Sequence, residues 1–384
     1  MALRLLHTSD WHLGRSFHEA SLLEDQAWVL DRLVEALRDT RPDALVVAGD
    51  LYDRAVPPHE AVTLLDSFLN RAAELRVPVV AIAGNHDSPE RLSFGSRLLE
   101  PSGIHLRGAL DRVGEPVVLP GKGSIWALPF VDPEVVRGLT GDETLRGHAA
   151  ATARALESAR AAAAEATRRG EPSVLVAHAF VQGALETPDS ERPVSVGTAG
   201  SVPAAAFAGF DYVALGHLHA PQEPAPGLRY SGSLLKYSFA EADQVKAAYL
   251  VEVAHGSARA EAVPLGQRRD VARLRGRMSD LLGRPDLERH RGDLLEVTLE
   301  DEAYVFDAMH RLRQRFPHVL SVVRPELTAG GAGTFSARVA GAGGDDLMLF
   351  RAFVEAVAGA PPDEAQVACF SSALDAVATK ERAS

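Results

Sequence analysis

The sequence predicts an α/β protein in which two sheets pack face to face between helices, with a small α/β module and a C-terminal helix-loop-helix appended. Three observations carry that expectation. Short β-branched runs alternate with segments of helical spacing through the first half. From about Tyr212 to Val263 the pattern shifts to shorter strands and turns, which a second sheet accommodates. Near Gly266 the composition turns arginine-rich, the mark of a domain boundary.

The first strand, L-R-L-L-H-T-S, is followed by a helix over Glu24 to Arg38, with Ala27, Leu30, Leu33, Val34 and Leu37 at helical spacing. A second strand, A-L-V-V-A-G, leads to a helix opening near Pro57-Pro58, with Val62, Leu65, Phe68 and Leu69 on one face. A third, V-V-A-I-A-G, leads to a helix from Pro89 to Glu100. The Ala-rich stretch from His148 to Arg169, stopped by Gly170, reads as one long helix close-packed on the sheet. The runs S-V-L-V-A, Y-V-A-L-G and Ala247 to Val253 read as further strands.

Past the boundary, the module has a strand at Leu294 to Leu299, a helix at Ala303 to Arg315 and a strand at Leu320 to Pro325. Glycine-rich stretches around Gly330 and from Gly341 to Gly344 read as a loop and a linker. Two amphipathic helices close the chain, one with Leu347, Phe350, Phe353, Val354 and Val357, the other with Val367, Phe370, Leu374 and Val377. The expected domains are thus residues 1–265, 266–342 and 343–384.

At 384 residues, 46% hydrophobic and 24% charged, the composition is that of a globular chain able to bury a sizeable core. The single cysteine, Cys369, excludes an internal disulfide framework and a cysteine-based zinc site. The first residues enter a strand directly and no run reaches membrane-spanning length, so a cytoplasmic protein with no membrane contact is expected. A net charge of −12 weighs against a protein that coats DNA, although bound cations would add positive charge that the count omits. Charge is uneven, with eight arginines between Arg268 and Arg291 against four acidic residues. Arg268, Arg269, Arg273, Arg275 and Arg277 are either a solvated face or contacts to a phosphate backbone. No phosphate-cradling loop precedes Gly121-Lys122, because Pro116 stands where that loop needs glycine.

Five apolar runs end on residues that bind hard divalent metals: Asp10 and His12, Asp50, Asn85 with His86, His178, and His217 with His219. Ligands gather outside the carboxyl ends of strands in an open α/β sheet, so these side chains are expected at one rim. Asp50, after a strand and a glycine, is the natural carboxylate to bridge two cations, as a two-metal hydrolase requires. Asp10 and His12 can face one ion if the chain bends just after the strand. Asn85 offers a neutral carbonyl oxygen, and His217 and His219, flanking Leu218, can reach two ions from one turn. Mixed imidazole, carboxylate and amide donors suit Mn²⁺, Fe or Zn²⁺. His86, beside the metals, is placed to stabilise the phosphorane or protonate the leaving oxygen. Asp87 either orients His86 or caps the next helix.

Asp10-Trp11-His12, Gly49-Asp50, Gly84-Asn85-His86-Asp87, His178 and Gly216-His217-Leu218-His219 resemble the motif series of the calcineurin-like metallophosphoesterases. S-D-W-H-L-G-R, A-G-D-L-Y-D-R-A-V-P-P, I-A-G-N-H-D-S-P-E-R-L and Y-S-G-S-L-L-K-Y-S-F resemble its SbcD-type branch, the bacterial counterpart of the eukaryotic and archaeal double-strand-break repair nuclease. The resemblance implies a calcineurin-like sandwich with one ion on Asp10, His12, Asp50 and His219 and the other on Asp50, Asn85, His178 and His217. It implies His86 as the catalytic histidine and two Mn²⁺ ions as cofactors. It implies 3′–5′ exonuclease activity on duplex DNA and endonuclease activity on single strands and hairpins, in repair, recombination and replication. The partner would be an SbcC-type coiled-coil ATPase, with the chain a homodimer inside a heterotetramer near the nucleoid. The module after Gly266 resembles the DNA-facing cap, and the terminal helices, through Leu347, Phe350, Phe353, Val354, Phe370 and Leu374, the segment that docks on the coiled coil. The Pro58–Leu69 and Pro89–Leu99 segments either form the family's homodimer contact or simply pack on the sheet. Archaeal and eukaryotic relatives often carry histidine where this chain has Asp53, so that histidine's role is not transferred. Asp53 could orient His86 or another ligand, or bond the backbone.

The competing enzyme class is a phosphatase or phosphodiesterase acting on small molecules with the same metals. The arginine-rich module and the tail helices argue against it, since a small substrate needs neither. A DNA-tethering scaffold with a decayed site is opposed by the complete ligand set.

Overall fold

The computed structural model describes residues 2–188, 190, 200–324, 346–358 and 360–381, without the side chains of 356–358 and 375–381. The expected linker around Gly330 and Gly341 to Gly344, and the positions of Pro325, Val357 and Val377 as contact residues, lie outside the described residues and side chains. The chain divides into two compact units, Met1–Val271 and Ala272–Ser384.

The first unit holds two six-stranded sheets. In one, Leu3–Thr8, Ala44–Val47, Val79–Ile82 and Ile104–Arg107 run parallel, and the hairpin Ala247–Ala254 and Ser257–Pro264 adds antiparallel strands beside Leu3–Thr8. In the other, Gly123–Leu128, Ser173–His178, Tyr212–Gly216 and Leu228–Tyr230 are parallel, edged by Val117–Leu119 and Gln222–Ala225. Alternation along the strands decides what fills the space between them. Leu3, Leu5, Val46, Val80 and Ile82 meet Ile125, Ala127, Val174, Val176 and Ala214 in one buried cluster. The intervening Leu6, Leu45, Val47 and Ala81 are equally buried, as a parallel sheet with helices outside requires. Each such valine, leucine or isoleucine side chain contributes about 1.5–3 kcal/mol.

The helices over Leu23–Thr40 and His59–Glu74 form where the apolar spacing predicts them. Two other expectations are corrected. The Ala-rich stretch is two helices, Gly147–Ala155 and Glu157–Arg168, joined at Leu156, whose ψ of −5° opens the helix while its side chain anchors in the core. Ala159, Ala163 and Ala166 do lie against Trp126 and Leu175 of the second sheet, a close approach that only small side chains allow. The Pro89 helix is likewise broken, into Pro89–Ser93 and Ser96–Leu99, because Phe94 turns extended and Gly95 takes a left-handed φ of 68°.

The two compact units divide at Val271–Ala272, a few residues past the arginine-rich onset at Gly266. The reason is local: Arg268 and Arg269 are held by Glu24 and Asp25 on the first long helix, and Gln267 donates to the Leu234 carbonyl. In the second unit, Val271–Gly276, Leu294–Leu299 and Val319–Val323 form one sheet. Its core joins Leu274, Leu295 and Val297 to Leu312 and Phe316. The expected Ala303–Arg315 helix begins only at Ala308, since Asp307 adopts a φ of 52°. The terminal helices, Asp346–Ala358 and Glu364–Glu381, stack Phe350 on Phe370 with ring centroids 4.1 Å apart.

Candidate metal centre

Five strands deliver their carboxyl ends to one rim, and the backbone there is bent out of the ordinary. Asp10, His12, Asp50 and His217 have φ of 53°, 45°, 50° and 114°, conformations that cost L-residues about 1–3 kcal/mol each and persist only where surroundings impose them. Asp10 N–H donates to Gly49 O (3.0 Å) and His12 N–H to Asp50 O (2.9 Å), locking the first two ligand loops together. The bend expected after the first strand is therefore these two left-handed residues.

Glycines make the approach possible. A Cβ at Gly84 would lie 2.1 Å from Asp50 Oδ1, one at Gly49 2.3 Å from His178 Nδ1, and one at Gly216 1.8 Å from the Ala48 carbonyl.

The carboxylate of Asp50 divides its work. Its Oδ1 accepts the His86 N–H at 2.9 Å, while Oδ2 lies 3.6 Å from His178 Nε2, 3.7 Å from His12 Nε2 and 3.9 Å from His86 Nε2. On one side of it, His12 Nε2 and His219 Nε2 are 3.0 Å apart, and their donor atoms lie within 4.8 Å of one another and of Asp10. On the other, Asn85 Oδ1 stands 2.9 Å from His178 Nε2 and 3.1 Å from His217 Nδ1. His217 and His219 thus reach opposite sides, with Leu218 buried between them.

These donors suit divalent cations. His178 donates from Nδ1 to the Ala48 carbonyl (2.8 Å), so its Nε2 lone pair faces the Asn85 oxygen, two acceptors at hydrogen-bond distance. Burial pulls the His178 imidazole down to about 3 and holds His12 and His217 well below the usual histidine range, so all stay neutral, as metal ligands must. Burial, then the charges of Asp10 and Asp87, push Asp50 well above the carboxylate range. A cation between neutral imidazoles and crowded carboxylates relieves that penalty.

The supporting contacts take up one of the alternatives left open for Asp53 and depart from both of those offered for Asp87. His86 donates from Nδ1 to the backbone carbonyl of Asp53 (2.8 Å), a main-chain bond that fixes the ring. The Asp53 carboxylate instead lies 3.8 Å from His12 Nδ1 and 3.8 Å from Arg15 Nε. Asp87 neither orients His86 nor caps a helix. It accepts the N–H groups of Leu51, Tyr52 and Gly84 at 3.0, 2.9 and 3.0 Å and so ties two ligand loops, while Ser88 is the N-cap. Burial still pushes Asp87 up to about 6, against the pull of those bonds.

Sequence reasoning missed Glu241. It is fully buried, accepts from His219 Nδ1 at 3.2 Å and pairs with Lys246 at 2.5 Å. Burial raises its carboxyl, but Lys246 and His219 outweigh that and hold it below the usual range. Nothing local announces it, since its partner lies 22 residues away in the chain. Of the arginines read as either a solvated face or phosphate contacts, Arg268 and Arg269 are engaged by Glu24 and Asp25. Arg273, Arg275 and Arg277 are exposed at alternate positions, with Arg275 2.5 Å from Glu300 and Arg277 3.6 Å from Glu302.

A fold of two helix-flanked sheets with this donor set at the strand ends defines a metal-dependent phosphoesterase, and comparison agrees. Residues 3–221 match the calcineurin-like phosphoesterase family model, and residues 267–357 match the type 5 capsule protein repressor C-terminal domain, SbcD_C. The chain is 35% identical over 322 residues, 83% of its own length and 84% of the relative's, to the SbcD component of the nuclease SbcCD of Staphylococcus saprophyticus. It belongs to the calcineurin-like phosphoesterases, in their SbcD-type branch. Among solved structures, the crystal structure of TT1561 of Thermus thermophilus is 15% identical, with a TM-score of 0.38, over 68% of this chain and 99% of that one. Among the described residues, no helix is long and apolar enough to cross a membrane.

Proposed function

We propose that this chain is the DNA-cutting subunit of an SbcCD-type complex, hydrolysing DNA phosphodiesters with two divalent cations, Mn²⁺ in preference to others. The observation that carries the reading is the Asp50 carboxylate held between two groups of buried donors, in a chain whose resemblance to a nuclease component runs through the second unit as well. Asp10, His12, Asp50 and His219 would hold one cation, and Asp50, Asn85, His178 and His217 the other. Bound there, the pair supplies Lewis acidity at the phosphoryl oxygens and lowers the pKa of an attacking water.

The protein's own groups do the rest. Asp50 keeps both donor groups in register because its second oxygen is pinned by the His86 N–H. His86, with Nδ1 committed to the Asp53 carbonyl, presents Nε2 to the phosphate, where it donates a proton to the leaving oxygen. Asn85 adds an uncharged oxygen and so no further repulsion toward a phosphodiester. The exposed row of Arg273, Arg275 and Arg277 is the proposed backbone contact. The terminal helices are the proposed dock for a coiled-coil ATPase, in a cytoplasmic, nucleoid-associated assembly that contains two copies of this chain.

An end-labelled duplex and a DNA hairpin, incubated with the purified chain and its ATPase partner in Mn²⁺, Mg²⁺ or EDTA, test the reading. Mn²⁺-dependent cleavage lost in Asn85→Ala supports it, with polarity read from product lengths. Turnover of a small phosphodiester with intact DNA would replace it by a small-molecule phosphodiesterase.

A further inference from the structure

The metal centre has two unlike flanks, and one carries half-buried aromatic rings that the proposed chemistry does not use. Six of the seven expected metal ligands, Asp10, His12, Asp50, His178, His217 and His219, are buried, whereas Asn85 is half-exposed. Asn85 is therefore the one expected ligand with access to solvent. Each imidazole that touches the Asn85 oxygen has a phenylalanine ring beside it. The Phe130 ring stands 6.4 Å from His178, edge to face, and the Phe180 ring 6.2 Å from His217.

The topology puts them there. Phe130 follows the Gly123–Leu128 strand by two residues, with its N–H donated to the Ala83 carbonyl just before the Asn85 loop (2.9 Å). Phe180 stands in the short strand Phe180–Val181, paired with Ser201–Val202, where Val181 turns inward and is fully buried. Each phenylalanine is only half-buried, and His148 packs on Phe130 with ring centroids 5.6 Å apart. The rings on the opposite flank offer no comparable surface. Trp11 and Tyr237 are 1% and 3% exposed, and the Arg15 guanidinium lies over the Tyr237 ring at 4.9 Å.

We propose that Phe130 and Phe180 form a stacking wall for the nucleobase beside the scissile phosphate, so that the strand lies with that base unstacked against the second sheet and its phosphate over Asn85. This rests on the nucleic-acid reading above and deepens it. The stacking is sequence-tolerant, because every base presents a π-face, and it selects frayed ends and unpaired nucleotides over a closed duplex. The two phenylalanines position the strand and take no part in the bond-breaking step.

Binding tests it without relying on turnover. In a His86→Gln background with Mn²⁺, fluorescence anisotropy compares a labelled thymidine tetramer with an abasic tetramer of the same charge, strand integrity being checked on a gel. Stacking on one aromatic predicts a preference for the thymidine strand of about 5- to 150-fold. Phe180→Leu, which keeps the apolar packing, and Phe130→Leu each reduce that preference, whereas Phe180→Trp retains it and its fluorescence is quenched on binding. Equal preference in wild-type and both leucine variants overturns the stacking wall while leaving the nuclease reading intact. If the wild-type background binds neither strand and the complex cuts no DNA, the nuclease reading fails and the stacking wall with it.

Discussion

His86 donates its Nδ1 proton to the main-chain carbonyl of Asp53 across 2.8 Å, a bond that fixes the ring without using the Asp53 side chain. Orientation through a carbonyl survives any substitution that keeps the backbone in place. Asp53→Ala is therefore expected to lower kcat on a DNA hairpin by less than about tenfold. His86→Ala removes the proton donor itself and is expected to cost about 10²- to 10⁴-fold. Comparable losses in the two variants would mean that the carboxylate acts on the ring after all.

Gly84 is where the chain leaves no room. An added Cβ would stand 2.1 Å from Asp50 Oδ1 and 2.4 Å from its nitrogen, so Gly84→Ala must displace the bridging carboxylate. Overpacking of this kind costs about 1–3 kcal/mol. Calorimetric titration with Mn²⁺ is expected to show both binding events weakened, because Asp50 belongs to both ligand sets, with the unfolding midpoint in EDTA also reduced. Two unaltered events would show that the loop can shift without moving Asp50.

His7 offers a pH-dependence independent of the metal centre's ligands. It is buried between the sheets, 2.9 Å from the Tyr212 hydroxyl, and burial pulls its imidazole down to about 3. The folded pKa is thus depressed below the unfolded 6.5. The unfolded chain takes up a proton first, so the stability is present above about pH 6.5 and lost as pH falls toward 3. One such group steepens the decline by up to about 1.4 kcal/mol per pH unit. Urea unfolding of the EDTA-treated protein at several pH values between about 7.5 and 4 should give a shallower slope for His7→Gln than for the wild type. Parallel slopes would be inconsistent with a neutral buried His7.

The tail makes a separable prediction. Phe350 stacks on Phe370 with planes 6° apart, joining the two terminal helices into one hairpin, while Phe353 remains 52% exposed. Removing residues after 343 is expected to abolish capture of the ATPase partner while leaving Mn²⁺ binding unchanged. Phe353→Asp should weaken capture in the full chain at least tenfold. Retained capture by the truncated chain would move the docking surface elsewhere.

Much of this was readable along the chain because strands and helices announce themselves by local periodicity. The runs ending at Asp10, Asp50, Asn85, His178 and His217 could be recognised as strands; parallel order aligns such ends within each sheet, and the packing of the two sheets brings both sets to one rim. Ligand identity and the family resemblance follow from residues that sit within a few positions of one another. What the tertiary structure alone decided are the relationships that chain proximity does not encode. Asp87 proved to be a tie between two loops because Leu51 and Gly84 converge on it, across a 36-residue gap in one case. Glu241 came to sit behind His219, 22 residues away, and Arg268 and Arg269 turned to Glu24 and Asp25 over 244 residues. The same limit hid the breaks at Leu156 and Gly95, because propensity sums over a segment whereas a core contact or a single left-handed residue acts at one point. Sequence determined which chemistry this chain carries. Packing decided which neighbours hold each group and which face of the centre is open.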